Sequence, residues 1–307
     1  MTKNPLLIRR KKALHQRARL IRGIRQFFIE KDYLEVETPH RIPAPLPEAH
    51  IDAIPSGQWF LHPSPELCMK RMMSADYERI FQICRCWRDR ERGKKHLPEF
   101  TLLEWYRTEA DYHSLMEECE SLIRFAAEAN GSGQIIPFRD HHIDLALPWE
   151  RISVKEAFHR DARMSVTEAL KQDLFDEIMV EEIEPKLGVR RPTFIYDYPA
   201  ERSTLARLKS GEPGIAERFE LYMGGLELAN GFSELTDSKE QRLRFRTENE
   251  SRRSMGKPAY PMPEKFLADL EGMPPSAGIA LGIDRLVMIF LNAESIDEVV
   301  AFTPEEL

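Results

Sequence analysis

The sequence predicts an α+β domain in which helices flank one mixed, mostly antiparallel sheet. Three observations carry that expectation: strand-like segments occur in both halves of the chain, segments of helical periodicity lie between them, and neither an internal repeat nor a low-complexity linker divides the 307 residues. Residues 1–307 are therefore expected to form a single domain. The composition, 42% apolar and 31% charged with 15 Gly and 21 Pro, is that of a globular chain and excludes disorder and collagen. A chain of this length buries a sizeable core without metal or disulfide staples. Its net charge of −7 repels phosphates, which argues against a general nucleic-acid binder.

Taken in order, Leu14, Ala18, Ile21, Ile24 and Phe28 recur at spacings of three and four, which predicts an amphipathic helix ending near Lys31. The basic concentration from Lys3 to Arg25 reads as its solvated face. Tyr33 to Thr38 alternates as a strand and stops at Pro39, which has no amide to donate. Prolines at 43, 45, 47 and 55 leave the segment to Pro65 irregular. Tyr77–Trp87 and Glu99–Arg107 read as an antiparallel hairpin around a long charged loop. Period two places Gln82, Cys84, Cys86 and Arg88 on one face of the first strand, and Phe100, Leu102, Glu104 and Tyr106 on one face of the second.

Asp111–Asn130 is helical and stops at Gly131-Ser-Gly133. Helical pattern dominates again from Ser153 to Val180, and Pro192–Pro199 reads as a buried strand. Arg218–Met223 alternates into Gly224-Gly225, where a bulge or close backbone approach is expected. Beyond it Asn230, Phe232 and Glu234 share a face. Gly278–Gly282 is a short apolar strand that passes through glycine into a helix, Ile283–Leu291. Cys68, Cys84, Cys86 and Cys119 lack the paired spacing of a zinc site and are expected as reduced, mostly buried thiols. No signal-length or membrane-length apolar run occurs, so the expected location is cytoplasmic, with no membrane contact.

A helix-strand-Pro element closed by Pro39, a strand-loop-strand with Arg88 at the first strand's end, and the turn Gly278-Ile-Ala-Leu-Gly-Ile-Asp-Arg285 follow one another in this order. Together they resemble the three motifs of class II aminoacyl-tRNA synthetases. The closest resemblance within that class is to lysyl-tRNA synthetases, through Ser64-Pro-Glu-Leu67, Pro98-Glu-Phe-Thr101, Glu104-Trp-Tyr106 and Leu226–Glu234, and it covers nearly the whole chain. The anticodon-binding barrel that those enzymes carry ahead of the core is expected to be missing, so tRNA binding is not expected. Ala280 stands where they have glycine, which is similar to the paralogous family that lysylates elongation factor P.

This resemblance implies an ATP- and Mg²⁺-dependent ligase that activates lysine or (R)-β-lysine as the adenylate and passes it to a lysine of elongation factor P. It also implies a homodimer built on the first helix and strand. Arg88 and Arg285 then hold the α- and γ-phosphates, which suits charge developing in phosphoryl chemistry. Phe100 lies on the adenine, with Asp89, Arg90, Leu97, Glu227, Leu228 (by its backbone) and Gly282 also at the nucleotide. Glu220 and Glu227 match the metal-binding carboxylates. Ser64, Pro65, Glu66, Glu104, Tyr106, Asn230, Glu234 and Ala280 form the amino-acid pocket, Glu234 taking the terminal ammonium. The chain departs from the family at Arg90, usually glutamate, and at Leu97, usually asparagine; Asp89 or Glu91 is expected to substitute. Two other readings stay open at this stage: a free-standing enzyme acting on tRNA or a small amine, and a catalytically silent sensing subunit.

Overall fold

The computed structural model describes residues 4–307, so Lys3 lies outside the described residues. The first helix, α1 (Pro5–Glu30), begins nine residues before the apolar periodicity does. Asn4 caps it by accepting from the amides of Leu6 and Leu7, and Pro5 occupies its first turn. Leu20, Ile24, Phe27 and Phe28 face the core, while Arg9, Lys11, Lys12, Arg19 and Arg22 face solvent. Arg10 and Arg17 do not: Arg10 pairs with Glu306 and Arg17 with the buried Asp284.

Nine strands form the main sheet: β1 (Leu34–Glu35), β2 (Arg79–Trp87), β3 (Glu99–Thr108), β4 (Glu150–Ser153), β5 (Thr193–Pro199), β6 (Leu208–Lys209), β7 (Glu212–Met223), β8 (Leu226–Ser233) and β9 (Ser276–Gly282). Their order is β1-β2-β3-β9-β8-β7-β5-β4, with β6 hydrogen-bonded to β7. Only the outermost pairs, β1 with β2 and β5 with β4, are parallel. The sheet is thus mixed and mostly antiparallel, as the sequence predicts. The expected strand after Tyr33 is shortened to two paired residues, and the proline-rich segment holds a small three-stranded sheet formed by Arg41–Ile42, Trp59–Leu61 and Pro55–Ser56.

One face of the sheet is covered by α1, α3 (Tyr112–Asn130) and α5 (Ile283–Leu291), which share a continuous apolar core with it. The other face carries α2 (Glu66–Met73) and α4 (Ser238–Ser254) at one end, where Leu67, Met73 and Phe245 pack with Tyr106. The far end of that face is covered by the segment 154–187, whose Phe158, Phe175 and Ile178 pack with Ile195, Tyr198 and Tyr222, and the stretch between the two ends is open. The expected helical stretch from Ser153 to Val180 is broken into Val154–Asp161, Val166–Lys171 and Phe175–Ile178, because Ser153 with Glu156 and Ser165 with Glu168 form two separate capping boxes. Among the described residues no helix is long and apolar enough to cross a membrane.

Asp284, at the first turn of α5, joins three of these elements. One carboxylate oxygen is 2.5 Å from Arg17 of α1 and the other accepts from the Thr101 amide of β3 at 2.6 Å. Removing the cation would strand a charge that is 2% exposed. Arg17→Met should therefore cost about 3 kcal/mol, in the range for breaking one side of a buried pair. Urea unfolding of the variant checks this, and a midpoint equal to the wild type's would contradict it.

Candidate active site

The open face forms a cavity of about 940 Å³. Strand register alone lines up its floor: Glu104, Ala280, Asn230 and Glu220 are successive cross-strand partners across β3, β9, β8 and β7, and Gln82 of β2 continues the row outside the cavity. Tyr106, Gly278, Phe232 and Arg218 form the adjacent row. At Gly278 an added Cβ would lie 2.2 Å from the Tyr106 ring and 2.5 Å from Glu234, so only glycine lets those groups approach the backbone. Gly224 and Gly225, with φ of 58° and 70°, make the tight turn between β7 and β8, and a bulge follows it. Leu228 is the extra residue of that bulge. Its side chain therefore enters the core while Glu227 turns toward the cavity.

One end of the cavity is cationic. The Arg88 guanidinium stands 5.1 Å from the Phe100 ring centroid, and its Nε is buried without a hydrogen-bond partner. Arg285 donates to the Glu227 carbonyl at 2.8 Å, to its carboxylate at 3.1 Å and to His96 Nε2 at 2.5 Å. Burial and Arg285 push His96 below its ordinary range, and burial with Arg139 and Arg285 pushes Lys95 down. Both line the cavity from the charged loop, and the sequence reading missed both. Gly282 caps α5 and places Arg285 one turn in.

The opposite end is anionic. Ser64 Oγ donates to Glu104 at 2.6 Å and accepts from the Glu66 amide at 3.0 Å, while Tyr106 donates to Glu104 at 2.9 Å. Pro65 stands at the head of α2 and so presents Glu66, without lining the cavity itself. Lys70, one turn along α2, was not singled out in the sequence. Its buried ammonium lies 2.5 Å from Glu66 and 2.6 Å from Glu234, and 4.9 Å from the Phe232 ring centroid. Three carboxylates and one internal ammonium leave a net charge of −2 when all are ionised. Burial, then Glu66, pushes Glu104 up to about 8. Burial also pushes Glu234 up to about 8 against the opposing pull of Lys70.

Ser64, Glu66, Arg88, Leu97, Phe100, Glu104, Tyr106, Glu220, Glu227, Leu228, Asn230, Ala280, Gly282 and Arg285 all border this one cavity. Three expected residues besides Pro65 do not. Arg90 adopts φ of 62° in a turn that leaves its side chain 87% exposed beside Asp89, so both point away from the cavity. Glu91 faces inward instead, 3.8 Å from Arg88. Glu234 lies behind the wall, paired with Lys70.

For a hard cation, the donor set is Glu220 and Glu227, with Glu184 close by. Burial and the charges of Glu220 and Glu227 push Glu184 up to about 7, and burial raises Glu220 as well. Glu220 already accepts from Tyr198 at 2.7 Å, Tyr222 at 2.8 Å and Arg218 at 2.5 Å. Each oxygen keeps a limited share of lone pairs, so these carboxylates make a partial shell. That fits Mg²⁺, which takes one or two carboxylates and completes its octahedron with phosphate oxygens and water. Arg218 also donates to Asn230 Oδ1 at 3.1 Å and fixes its amide across the floor.

A twisted antiparallel sheet with arginines at one end of its open face and carboxylates at the other defines a class. The family described as tRNA synthetases class II (D, K and N) matches residues 7–306, and the chain belongs to it. Among curated proteins it is 40% identical to a protein of Proteus mirabilis (strain HI4320) over 305 residues, 94% of each chain. It is 39% identical to one of Hamiltonella defensa subsp. Acyrthosiphon pisum over 309 residues, 95% of each, and 39% identical to one of Klebsiella pneumoniae (strain 342) over 308 residues, 94% of each. All three carry the name elongation factor P--(R)-beta-lysine ligase.

The anionic end predicts a pH dependence. Glu104, with its carboxyl raised to about 8, holds a proton at pH 6–7 that must leave when an ammonium group pairs with it. Affinity for a diamino acid should therefore weaken as pH falls from about 8 to 6, by up to about tenfold per unit for each proton released. Calorimetry in buffers of different ionisation enthalpy reads both the affinity and the proton count. Flat affinity with no proton released would be contrary.

Proposed function

We propose that the chain activates (R)-β-lysine, or lysine, with ATP and Mg²⁺ and transfers it to a lysine side chain of elongation factor P, acting in the cytoplasm. The observation that carries this reading is the polarity of the large cavity: glutamates balanced by Lys70 at one end, Arg88, Lys95 and Arg285 at the other. A diamino acid has matching polarity, two ammonium groups and a carboxylate.

Glu66 and Glu104 hold the ammonium groups, with Ser64 and Tyr106 fixing Glu104, while Glu234, expected to take the terminal ammonium, is paired with Lys70 behind the wall. Asn230 and Ala280 floor the carbon chain. The carboxylate then meets Arg88, whose buried Nε is unpartnered. Its oxygen attacks the α-phosphate and pyrophosphate leaves, Arg285 and Lys95 meeting the charge of the departing phosphates. Mg²⁺, when bound at Glu220 and Glu227, supplies further neutralisation of the phosphate oxygens. Phe100 packs on the adenine, and Glu91 takes the role expected of the residue at 90. The acceptor amine attacks the activated carbonyl, AMP leaves, and an amide forms.

All of the residues are proposed to work as one catalytic domain, paired with a second copy across α1. The exposed Leu6, Ile8, Ile29 and Leu34 support that pairing. The net charge of −7 and the family of ligases among its relatives favour a protein acceptor over tRNA.

ATP–pyrophosphate exchange tests the activation step, and the mass of elongation factor P after incubation tests the transfer. Exchange stimulated equally by neutral amino acids, or no mass gain by the factor, would defeat the reading. Arg88→Ala and Arg285→Ala should each lose about 3 kcal/mol of transition-state stabilisation, about a hundredfold in rate. Ala280, the cross-strand partner of Glu104 and Asn230, sets the height of the floor. Ala280→Gly should shrink the preference for β-lysine over α-lysine in kcat/KM, within the about 1–3 kcal/mol that one methylene is worth. Exchange kinetics with both isomers on both proteins checks it, and an unchanged ratio would remove Ala280 from specificity.

A further inference from the structure

Cys84 and Cys86 are two residues apart on β2 and project from the same face. His62, on the segment leading into Ser64, packs against them. The two sulfurs are 3.8 Å apart, and Cys86 Sγ is 4.0 Å from His62 Nε2. One ligand atom from each of the three residues lies within 4.8 Å of the others, an arrangement found nowhere else among the described residues for three or more His, Cys, Asp or Glu side chains. All three are buried, Cys86 and His62 almost completely. None borders the large cavity; the cysteines lie on the same face of the sheet as its floor, one strand outward, where Cys84 and Cys86 are the cross-strand partners of Leu102 and Phe100 and pack with them and Ala280. The adenylation chemistry does not use them.

The spacing suits a tetrahedral cation. Two thiolates 3.8 Å apart, each about 2.3 Å from a zinc ion, subtend about 111° at the metal, close to the tetrahedral angle. A nitrogen at about 2.0 Å in the same geometry stands about 3.6 Å from each sulfur, so Nε2 would close by about 0.4 Å on Cys86 Sγ from its 4.0 Å, and the ligand atoms of His62 and Cys84 already lie within 4.8 Å of each other. Charge points the same way. Two thiolates and a divalent cation sum to zero, which a buried nest tolerates, whereas a monovalent ion would leave a net charge there. Thiolate and imidazole are the donors that zinc prefers over the oxygen donors Mg²⁺ takes. Without a cation, Nε2 donates to the Arg85 carbonyl at 2.7 Å; coordination displaces that proton together with the thiol protons.

We infer that His62, Cys84 and Cys86 form a buried zinc site with three protein ligands. It stands at the edge of the floor on β2, apart from the Glu220 and Glu227 carboxylates of β7 and β8. The His62 backbone already donates to the His40 carbonyl at 2.8 Å and accepts from the Trp87 amide at 3.1 Å. A bound cation would clamp the segment that enters Ser64 and Glu66 to the strand end that carries Arg88.

The test uses the full-length, tag-free, reduced protein, stripped with a chelator and titrated anaerobically with Co²⁺ and then Zn²⁺ in the absence of nucleotide. The expected result is one Co²⁺ per chain, with a thiolate-to-cobalt charge-transfer band in the near ultraviolet and the visible absorption of a tetrahedral site, both displaced by Zn²⁺. Cys86→Ser, which keeps Cys68 and Cys119, and His62→Gln should each weaken Zn²⁺ by ~100-fold or more, beyond what loss of an outer-shell contact produces. No thiolate band in the wild type, a Cys84–Cys86 disulfide in its place, or a band that survives in Cys86→Ser would overturn the assignment. Should Cys86→Ser fail to fold, the wild-type titration and His62→Gln still decide.

Discussion

The buried carboxylate of Asp284 is the contact on which the rest of the architecture turns. It is held between Arg17 of α1 and the Thr101 amide of β3, and it sits beside Arg285 in the first turn of α5. A charge that deep is tolerated only when its partners are in place. The three segments that build the cavity are therefore coupled: α1 cannot leave without uncovering the charge, and β3 cannot slip in register without losing its amide. Arg285 takes its direction from the same turn, and through its bonds to Glu227 and His96 it organises the cationic end.

The sheet supplies the other constraint. Because cross-strand partners share a face, one row brings Glu104, Ala280, Asn230 and Glu220 from four neighbouring strands into the same trough. Groups of opposite charge are kept at opposite ends before any substrate arrives. Such groups need little reorganisation during reaction, which is where preformed electrostatics gains its advantage over water.

Much of this was legible in the chain. Period two placed Phe100, Glu104 and Tyr106 together, and the passage of Gly282 into the helix Ile283–Leu291 was read residue for residue. The start of α1 was missed because its first turns carry basic residues rather than an apolar stripe, although Asn4-Pro5 is a recognisable cap. The two Ser-x-x-Glu capping boxes that divide residues 153–178 were also visible and not used. Arg90 lies outside the cavity in a turn of positive φ, which no periodicity encodes. Lys70 was hidden for a different reason: a lysine on a short helix becomes part of the pocket only once Glu66 and Glu234 are brought to it from separate elements. His62 likewise joins the two cysteines only in three dimensions, so spacing along the chain could not reveal the cluster.

Lys70 changes the kind of measurement the pocket makes. A pocket that judges length can separate neighbours differing by one methylene by only about 1–3 kcal/mol. Here one ammonium is permanently installed among three carboxylates, so the pocket instead counts cations. An amino acid with a single amine leaves a buried carboxylate without a partner, and the penalty for that is not graded by chain length. On the proposed reading the internal lysine thus makes one end of the pocket a balance, which comes level for two positive charges, and leaves the ruler, the arrangement of the carbons between them, to the floor at Ala280.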